Sequence, residues 1–386
     1  MAARLTFRSA ALALSLCTEP ACAALQSAER VSPPAGAIAA MDAGDPVRAL
    51  ALTRTAGDAC GARSATTDAC TDLWLFIIQA ALVADRPAEA ETAARRLLAV
   101  VPADSEEAAG AQLLLAMVLQ SRGRHVEAEP LLRAALNTAL RVEGTDGVGV
   151  GMIAGRLGVV LIAFQRVAEA EAMLRRAVAI LSAKSDAPPE LLVSVMIDHG
   201  LALGMLDRHA EAEVVLQRAL TLSGAGDTGK TLPAALMASG LGLAAQQRYG
   251  EAEPALRRAV ALYERQYGKL HFETAKALLA YGTLLRHLGR AADAEVMLRR
   301  AIIPHALAGD WSTMEAVTTA VALGELVAAR NPLEARLFFA RAGLGARLRV
   351  GQYRDHGAAA QAERASFAQV FVGQVQLAWR LAHERT

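Results

Sequence analysis

Apolar and small residues recur along this chain at offsets of three and four, the period of one face of an α-helix. The clearest window is Arg248–Arg300. There the phrase EAEPALRRAV (Glu251–Val260) is followed by a turn near Gly268 and a second helical run, and then returns as ADAEVMLRRAI (Ala292–Ile302). The pattern predicts pairs of amphipathic helices, and its repetition predicts an array rather than one closed core.

The repeats align on one small residue inside each second helix: Ala128, Ala170, Ala212, Ala252 and Ala294, separated by 42, 42, 40 and 42 residues. Ala90 and Ala49 extend the series toward the N-terminus at spacings of 38 and 41, and Ala335 follows Ala294 by 41, which makes about eight units. Twelve residues before the aligned Ala stands a Gly (Gly158, Gly200, Gly240, Gly282), and three after that Gly a Leu (Leu161, Leu203, Leu243, Leu285). Four after the Ala comes another Leu (Leu174, Leu216, Leu256, Leu298), and three later an Ala again. A mid-helix Gly costs about 1 kcal/mol relative to Ala, so its return at one register predicts a place where a neighbouring helix comes close.

Short polar turns (GRHVE, QRVAE, DRHAE, QRYGE, GRAAD) separate the paired helices. Arg-Arg pairs at 175–176, 257–258 and 299–300 follow Glu171, Glu253 and Glu295. A Glu four residues before an Arg favours a helix by a few tenths of a kcal/mol. These pairs read as a solvated outer face.

Composition sharpens this picture. Of the 386 residues 54% are hydrophobic but only 4% aromatic, a balance that suits closely stacked helices better than a sandwich of strands. A formal net charge of +1 provides no global attraction to nucleic acid or to an anionic membrane. Residues 1–23 read as a signal peptide: Arg4 and Arg8 precede the short apolar run Ser9–Leu16, Pro20 breaks it, and Ala21-Cys22-Ala23 offers a cleavage site before Ala24. A polar, Pro-containing lead-in follows, to residue 35, and no other stretch reaches the length of a membrane span. Cleavage would leave Cys60 and Cys70, in a polar connector, as the two cysteines of the mature chain. An oxidising compartment favours their pairing, at about 2–3 kcal/mol for so short a loop. Two free thiols or a metal pair are the other readings.

Taken together, the small residue, the Leu three on, the Gly-Arg turn and the Ala, Leu and Ala of the second helix resemble tetratricopeptide repeats. The spacing near 42 and the phrase GRHVEAEPLLRAAL (Gly123–Leu136) resemble the kinesin-light-chain subtype. The resemblance implies an all-α, right-handed α-solenoid of about eight helix-turn-helix units. Residues 36–103 read as degenerate units, 104–350 as regular ones and 351–386 as a C-terminal capping helix. The family's concave face takes peptides or partner helices, so the resemblance implies a protein partner.

The family's groove usually carries an Asn pair just before the small residue of the first helix. Here those positions are Gly155-Arg156, Ile197-Asp198, Met237-Ala238 and Leu279-Ala280. The expected groove residues are instead apolar: Met117, Met152, Val159, Ile197, Leu201, Met205, Met237, Leu241 and Leu279. Such a lining suits an amphipathic helix better than a peptide held by its backbone. The competing reading is that these residues simply pack helix on helix. Beyond the repeats, Gly357–Glu384 reads as one helix with an apolar stripe of Phe367, Val370, Phe371, Val375, Ala378 and Trp379, as a terminal repeat needs for a cap. Docking of that helix into the chain's own groove, or a neighbour's, is a second arrangement; a third is a link to a further domain, since the ending resembles the junction before a caspase-like domain in bacterial repeat proteins.

Candidate chemistry is sparse. None of the eight His residues falls in zinc-binding spacing, and neighbours Asp198 and His199 point about 100° apart on a helix. The Gly-rich stretch Gly144–Gly151 lacks the ending of a phosphate loop. Gly224–Thr231 (GAGDTGKT) has the full pattern, but it follows a helix rather than a strand and falls where units join. No catalytic residue, cofactor or metal ligand is assigned. The sequence reads as a non-catalytic, exported (periplasmic or secreted) scaffold; the alternative is a cytosolic regulatory or sensor array acting with a separate protease-like effector.

Overall fold

The computed structural model describes residues 32–62, 70–84, 86–185, 187–225 and 230–352. The expected signal peptide and C-terminal helix lie outside the described residues. Those described form helices joined by short turns, with no strand among them. In chain order the helices are α1 (Ala35–Asp42), α2 (Pro46–Ala62), α3 (Thr71–Val83), α4 (Pro87–Val100), α5 (Glu106–Ser121), α6 (His125–Val142), α7 (Val148–Ala163) and α8 (Val167–Ala183). Then follow α9 (Pro189–Met205), α10 (His209–Ala225), α11 (Leu232–Ala245), α12 (Tyr249–Tyr267), α13 (Phe272–His287), α14 (Ala291–Ala308), α15 (Met314–Val327) and α16 (Pro332–Gln352). Two compact units result. One holds the described residues up to Ala163 with Ala172–Pro188; the other holds Phe164–Glu171 and the described residues from Pro189 onward.

Within the units, helices pack as consecutive hairpins, α1 on α2, α3 on α4, α5 on α6, and from α9 on α10 to α15 on α16. Each even-numbered helix from α2 to α16 carries one aligned Ala, and all eight are buried. The Leu four residues later is buried too, at Leu174, Leu216, Leu256 and Leu298. That Leu explains the recurring glycine. A Cβ placed on Gly158 would lie 2.5 Å from Leu174 Cγ, and one on Gly200 the same distance from Leu216 Cγ. The corresponding distances are 2.6 Å for Gly240 against Leu256 and 2.8 Å for Gly282 against Leu298. No real Cβ tolerates such an approach, so each hairpin closes only where its first helix has no side chain.

The turns share one backbone geometry. Before α6 and α14 the turn residue is Gly123 (φ 71°) and Gly289 (φ 73°); before α8, α10 and α12 it is Gln165 (φ 59°), Asp207 (φ 59°) and Gln247 (φ 61°). At the α11–α12 turn, Gln247 N–H donates to the Ala244 carbonyl (2.9 Å) and Arg248 N–H to that of Leu243 (3.0 Å). The same pair of bonds recurs at Gly123, Asp207 and Gly289, and satisfies the last carbonyls of each first helix. A left-handed Gln or Asp costs on the order of 1 kcal/mol that Gly would not. Polar composition marked these segments as turns, but nothing in it marked three non-glycine residues as left-handed.

The next residue is always Arg, and it links consecutive hairpins. Arg248 forks onto Glu251 of its own helix (2.8 Å) and reaches back to Glu213 of α10 (2.9 Å). Arg290 binds Asp293 (2.7 Å) and Glu253 (2.7 Å), and Arg208 binds Glu211 (2.7 Å) and Glu171 (3.2 Å). Arg124 does the same with Glu127 (2.6 Å) and Glu91 (2.6 Å). Exposed pairs of this kind are worth about 1 kcal/mol or less each. Glu91 is a stronger case, because it is buried and also meets Arg95 and Arg122. Burial pushes its carboxyl up, but the Arg124 hydrogen bond and the charges of Arg124, Arg95 and Arg122 leave it below the usual range. The expected pairing within one helix holds at Arg299–Glu295 (2.7 Å), whereas Glu253 serves the following turn and Tyr281 instead.

Cys60 and Cys70 form a disulfide, with Cα atoms 6.0 Å apart, that ties the end of α2 to the start of α3. In the second unit the core holds the titratable ring of His305 of α14, 2% exposed. Its Nδ1 lies 3.1 Å from Thr313 Oγ1, whose oxygen also caps α15 by accepting from Ala316 N–H (3.2 Å). Its Nε2 has no hydrogen-bond partner among the described residues, and the Phe272 ring lies 5.1 Å away. Burial lowers its pKa; Glu315 and Asp310 pull the other way, and Lys276 adds to the depression.

Two predictions follow from this packing. Gly240→Ala should destabilise the chain by about 1–2 kcal/mol despite the better helix propensity, because overpacking a core costs about 1–3 kcal/mol. Gly204→Ala, where nothing lies within 4 Å of the added methyl, should stabilise it by about 1 kcal/mol. Thermal melts of the two variants should shift in opposite directions. For His305, the unfolded chain takes up its proton near pH 6.5 and the folded chain only lower, so stability is complete above that value and falls as pH drops through it. Melting temperature should therefore decline from about pH 6.5 to pH 5 in the native chain and be flatter across that window in His305→Gln.

Candidate functional site

The first helix of each hairpin supplies the candidate surface. Relative to its small residue, the positions three before, one after and five after share a face with the position six before. In the first unit this face presents Met117 of α5 and Met152 and Val159 of α7, all half-buried. In the second unit it presents Leu201 and Met205 of α9, Met237 and Leu241 of α11, and Leu279 of α13. Met205 (46% exposed) and Leu241 (37%) are the most open, while Leu201, Met237 and Leu279 are half-buried. Met237 and Leu279 also rest against the core formed by Leu256, Leu278 and their neighbours, so each serves packing on one side and lining on the other.

Ile197 departs from the expectation. It is 8% exposed, in a helix that packs beside both α10 and α11, and so belongs to the packing rather than to an open lining. The position equivalent to Leu279 in α7 is Gly155, also buried.

The face also changes character along the second unit. In α13 it carries Lys276 and Arg286 beside Leu279, where α9 and α11 have small or apolar residues. Lys276 Nζ binds Glu273 (2.8 Å), and Arg286 reaches Glu325 of α15 (2.5 Å). Burial works against the Lys276 charge, but Glu273 and Glu315 more than offset it and hold the ammonium above its usual pKa. The apolar lining therefore ends in a charged margin. Its signal was present in the sequence, since Lys276 and Arg286 fall at helical offsets from Leu279.

The catalytic alternatives gain no geometry. Glu143 places its carboxylate on Gly149 N–H (2.9 Å) at the start of α7, so the helix end after the Gly-rich linker is occupied by the chain's own anion. Burial pushes that carboxyl up, while the amides of Gly149 and Val150 draw it down. In the GAGDTGKT stretch, α10 runs through Gly224 to Ala225, and Thr231 Oγ1 lies 3.2 Å from Ser223 Oγ; residues 226–229 lie outside the described residues. His199 turns away from its neighbour Asp198 and meets Glu171 (3.3 Å), and both are buried beneath Arg208. That pair joins Glu171 to α9 within the second unit and gives no access to a substrate. Among the described residues no group of three or more His, Cys, Asp or Glu converges as a metal site, and no helix is long and apolar enough to cross a membrane.

Comparison with known proteins agrees with this architecture. The tetratricopeptide repeat model matches residues 107–183 and 231–302. No curated protein matches the chain. Among solved structures, a Rap protein complexed with competence and sporulation factor is similar over 88% of this chain and 97% of its own, at 14% identity and a TM-score of 0.58. Aspartyl phosphate phosphatase F from Bacillus subtilis is similar over 85% of this chain and 91% of its own, at 15% identity and a TM-score of 0.51. A putative kinesin light chain with nearly identical TPR-like repeats from Podosopora anserina matches 51% of this chain and 94% of its own, at 17% identity and a TM-score of 0.41. At these identities the likeness bears on fold alone.

Proposed function

We propose that this chain, which resembles tetratricopeptide-repeat proteins, is a non-catalytic interaction scaffold that holds an amphipathic helix of a protein partner. The observation that carries the reading is the lining of α9 and α11, where Leu201, Met205, Met237 and Leu241 form an apolar face and Met237 stands where such repeats carry an amide that grips a peptide backbone. Leu241 and Met205 are open on a rigid framework, so their apolar surface is available for burial by a partner. Met adapts its unbranched thioether to partners of different shape. A helix whose apolar stripe meets Met237 and Leu241, and whose polar end meets Lys276, Arg286 and Glu325, would satisfy both parts of the lining. The Rap structure, solved in complex with competence and sporulation factor, supports the general use of this fold for holding a partner.

Export is part of the proposal. It rests on the signal-like residues 1–23 and on the Cys60–Cys70 disulfide, which an oxidising compartment would maintain. N-terminal sequencing of the protein from an envelope fraction should begin at Ala24; an intact Met1 on cytosolic protein would contradict this part alone. For the groove, Met237→Glu with Leu241→Glu should weaken partner capture at least about tenfold, since burying two unpaired carboxylates in an apolar contact costs several kcal/mol. Far-UV circular dichroism should be unchanged, because Leu241 is exposed and Met237 half-buried. Loss of helicity in the same variant would assign both residues to packing and reject the groove.

A further inference from the structure

Charge along the second helices is balanced except at the last. In α4, α6, α8, α12 and α14 acidic and basic side chains are equal in number, while α10 carries one acid in excess and α2 one base. In α16 the four arginines Arg336, Arg341, Arg347 and Arg349 face the single Glu334, a net charge of +3. Glu334 is already engaged by Arg299 of α14 (2.6 Å) and by Asn331 (3.2 Å), and Arg349 turns in to the Ser312 carbonyl (3.2 Å). The other three arginines are exposed, and among the described residues no carboxylate pairs with them. Arg341 lies over the Trp311 ring, 5.3 Å from its centroid.

These arginines border an apolar surface. At about 100° per residue, Leu333, Leu337, Leu344 and Leu348 fall within about 60° of one another on α16, with Arg336 and Arg347 on one flank and Arg341 on the other. Leu333 is 66% exposed, Leu337 68% and Leu348 50%. The adjoining α14 prolongs the surface with Val296, Ile303 and Leu307, at 54%, 40% and 71%. Large apolar side chains so exposed on two neighbouring helices mark a surface that something covers. We infer that the cover is an anionic lipid bilayer, on which this face lies with its leucines in the acyl boundary and its arginines at the headgroup phosphates. Charge selects this occupant. A second copy would set the +3 helix against itself, like charge on like. A partner helix docks in a groove, whereas these leucines stand out from the surface. Arginines on both flanks of an apolar stripe match an interfacial helix, whose long basic side chains reach up to the headgroups as the stripe sinks below them. The net charge of the whole chain is only +1, so the attraction is local to this face. Each arginine near an anionic surface strengthens binding by about fivefold, so three supply on the order of a hundredfold, screened by salt. The surface belongs to second helices, which leaves the lining at Met237 and Leu241 on first helices open. The inference does not depend on the proposed groove.

Vesicles of phosphatidylcholine with and without phosphatidylglycerol test this on the full chain. The protein should sediment with the anionic vesicles at least about tenfold more tightly than with the neutral ones, and less tightly as salt rises. Modification of arginines by phenylglyoxal, mapped by mass spectrometry, locates the contact. Anionic vesicles should slow it at least about threefold at Arg336, Arg341 and Arg347 and leave the exposed Arg258 of α12 unchanged. Leu333→Glu with Leu337→Glu should abolish that protection without lowering the melting temperature, since both leucines are exposed. If that variant is nevertheless destabilised, the footprint on the native chain decides. No binding would overturn the inference, and so would binding that leaves the three arginines unprotected, which would assign it to another segment such as residues 1–23. Equal protection by neutral vesicles would overturn it as well. So would arginines that react slowly before lipid is added, because the face would then be covered by the chain itself or by a second copy.

Discussion

The closeness of the two helices within each hairpin is the constraint on which everything else rests. Leu174, Leu216, Leu256 and Leu298 occupy the volume that a side chain on the facing glycine would fill. Once that Leu is seated, the helix pair has one depth and one register. The aligned Ala beneath it must then be small, and every one of the eight is buried. The chain spends a poor helix former at the centre of its first helices to obtain a contact that no longer side chain would allow.

Between hairpins a different interaction acts. The left-handed turn residue delivers the following Arg to the start of the second helix, where its guanidinium can bind a carboxylate ahead and another behind. Because the turn geometry repeats at Gly123, Asp207, Gln247 and Gly289, so does the ladder. Apolar contact thus closes each unit and continues into the next, as where Leu298 and Ile302 of α14 pack with Val317 and Leu323 of α15, while the ionic links run alongside at the turns. First helices keep an exposed face, and the ionic links lie along the turns.

How much of this could be read from residues alone depended on whether the cause was local. Helices, turns and the aligned Ala were legible because offsets of three, four and about 42 are properties of the sequence itself. The reason for the recurring Gly was legible only in kind; the identity of the facing Leu needed the fold. The Arg ladder was hidden, since Arg248 and Glu213, or Arg290 and Glu253, are more than thirty residues apart and each has a plausible partner in its own helix. The pairing of His199 with Glu171, 28 residues apart, was hidden in the same way. The apolar face of the first helices was partly legible. Met205 and Leu241 are open as their face predicts, but Ile197 shares that face and is buried, because burial there depends on how tightly α9 lies against its neighbours. The charged margin at Lys276 and Arg286 could have been found by extending the same face one helix further.

The disulfide bears on the order in which such a chain comes apart. In a stack of hairpins each element is held only by its neighbours, so unravelling starts at an end, where one side is missing. Cys60 and Cys70 join the first hairpin to the second by a covalent bond. When α1 and α2 lose their packing, the bond still holds the end of α2 beside the start of α3, so the opened hairpin gains less chain entropy and recloses over a shorter tether. Oxidation thus acts on the opened end of the array rather than on its packed form.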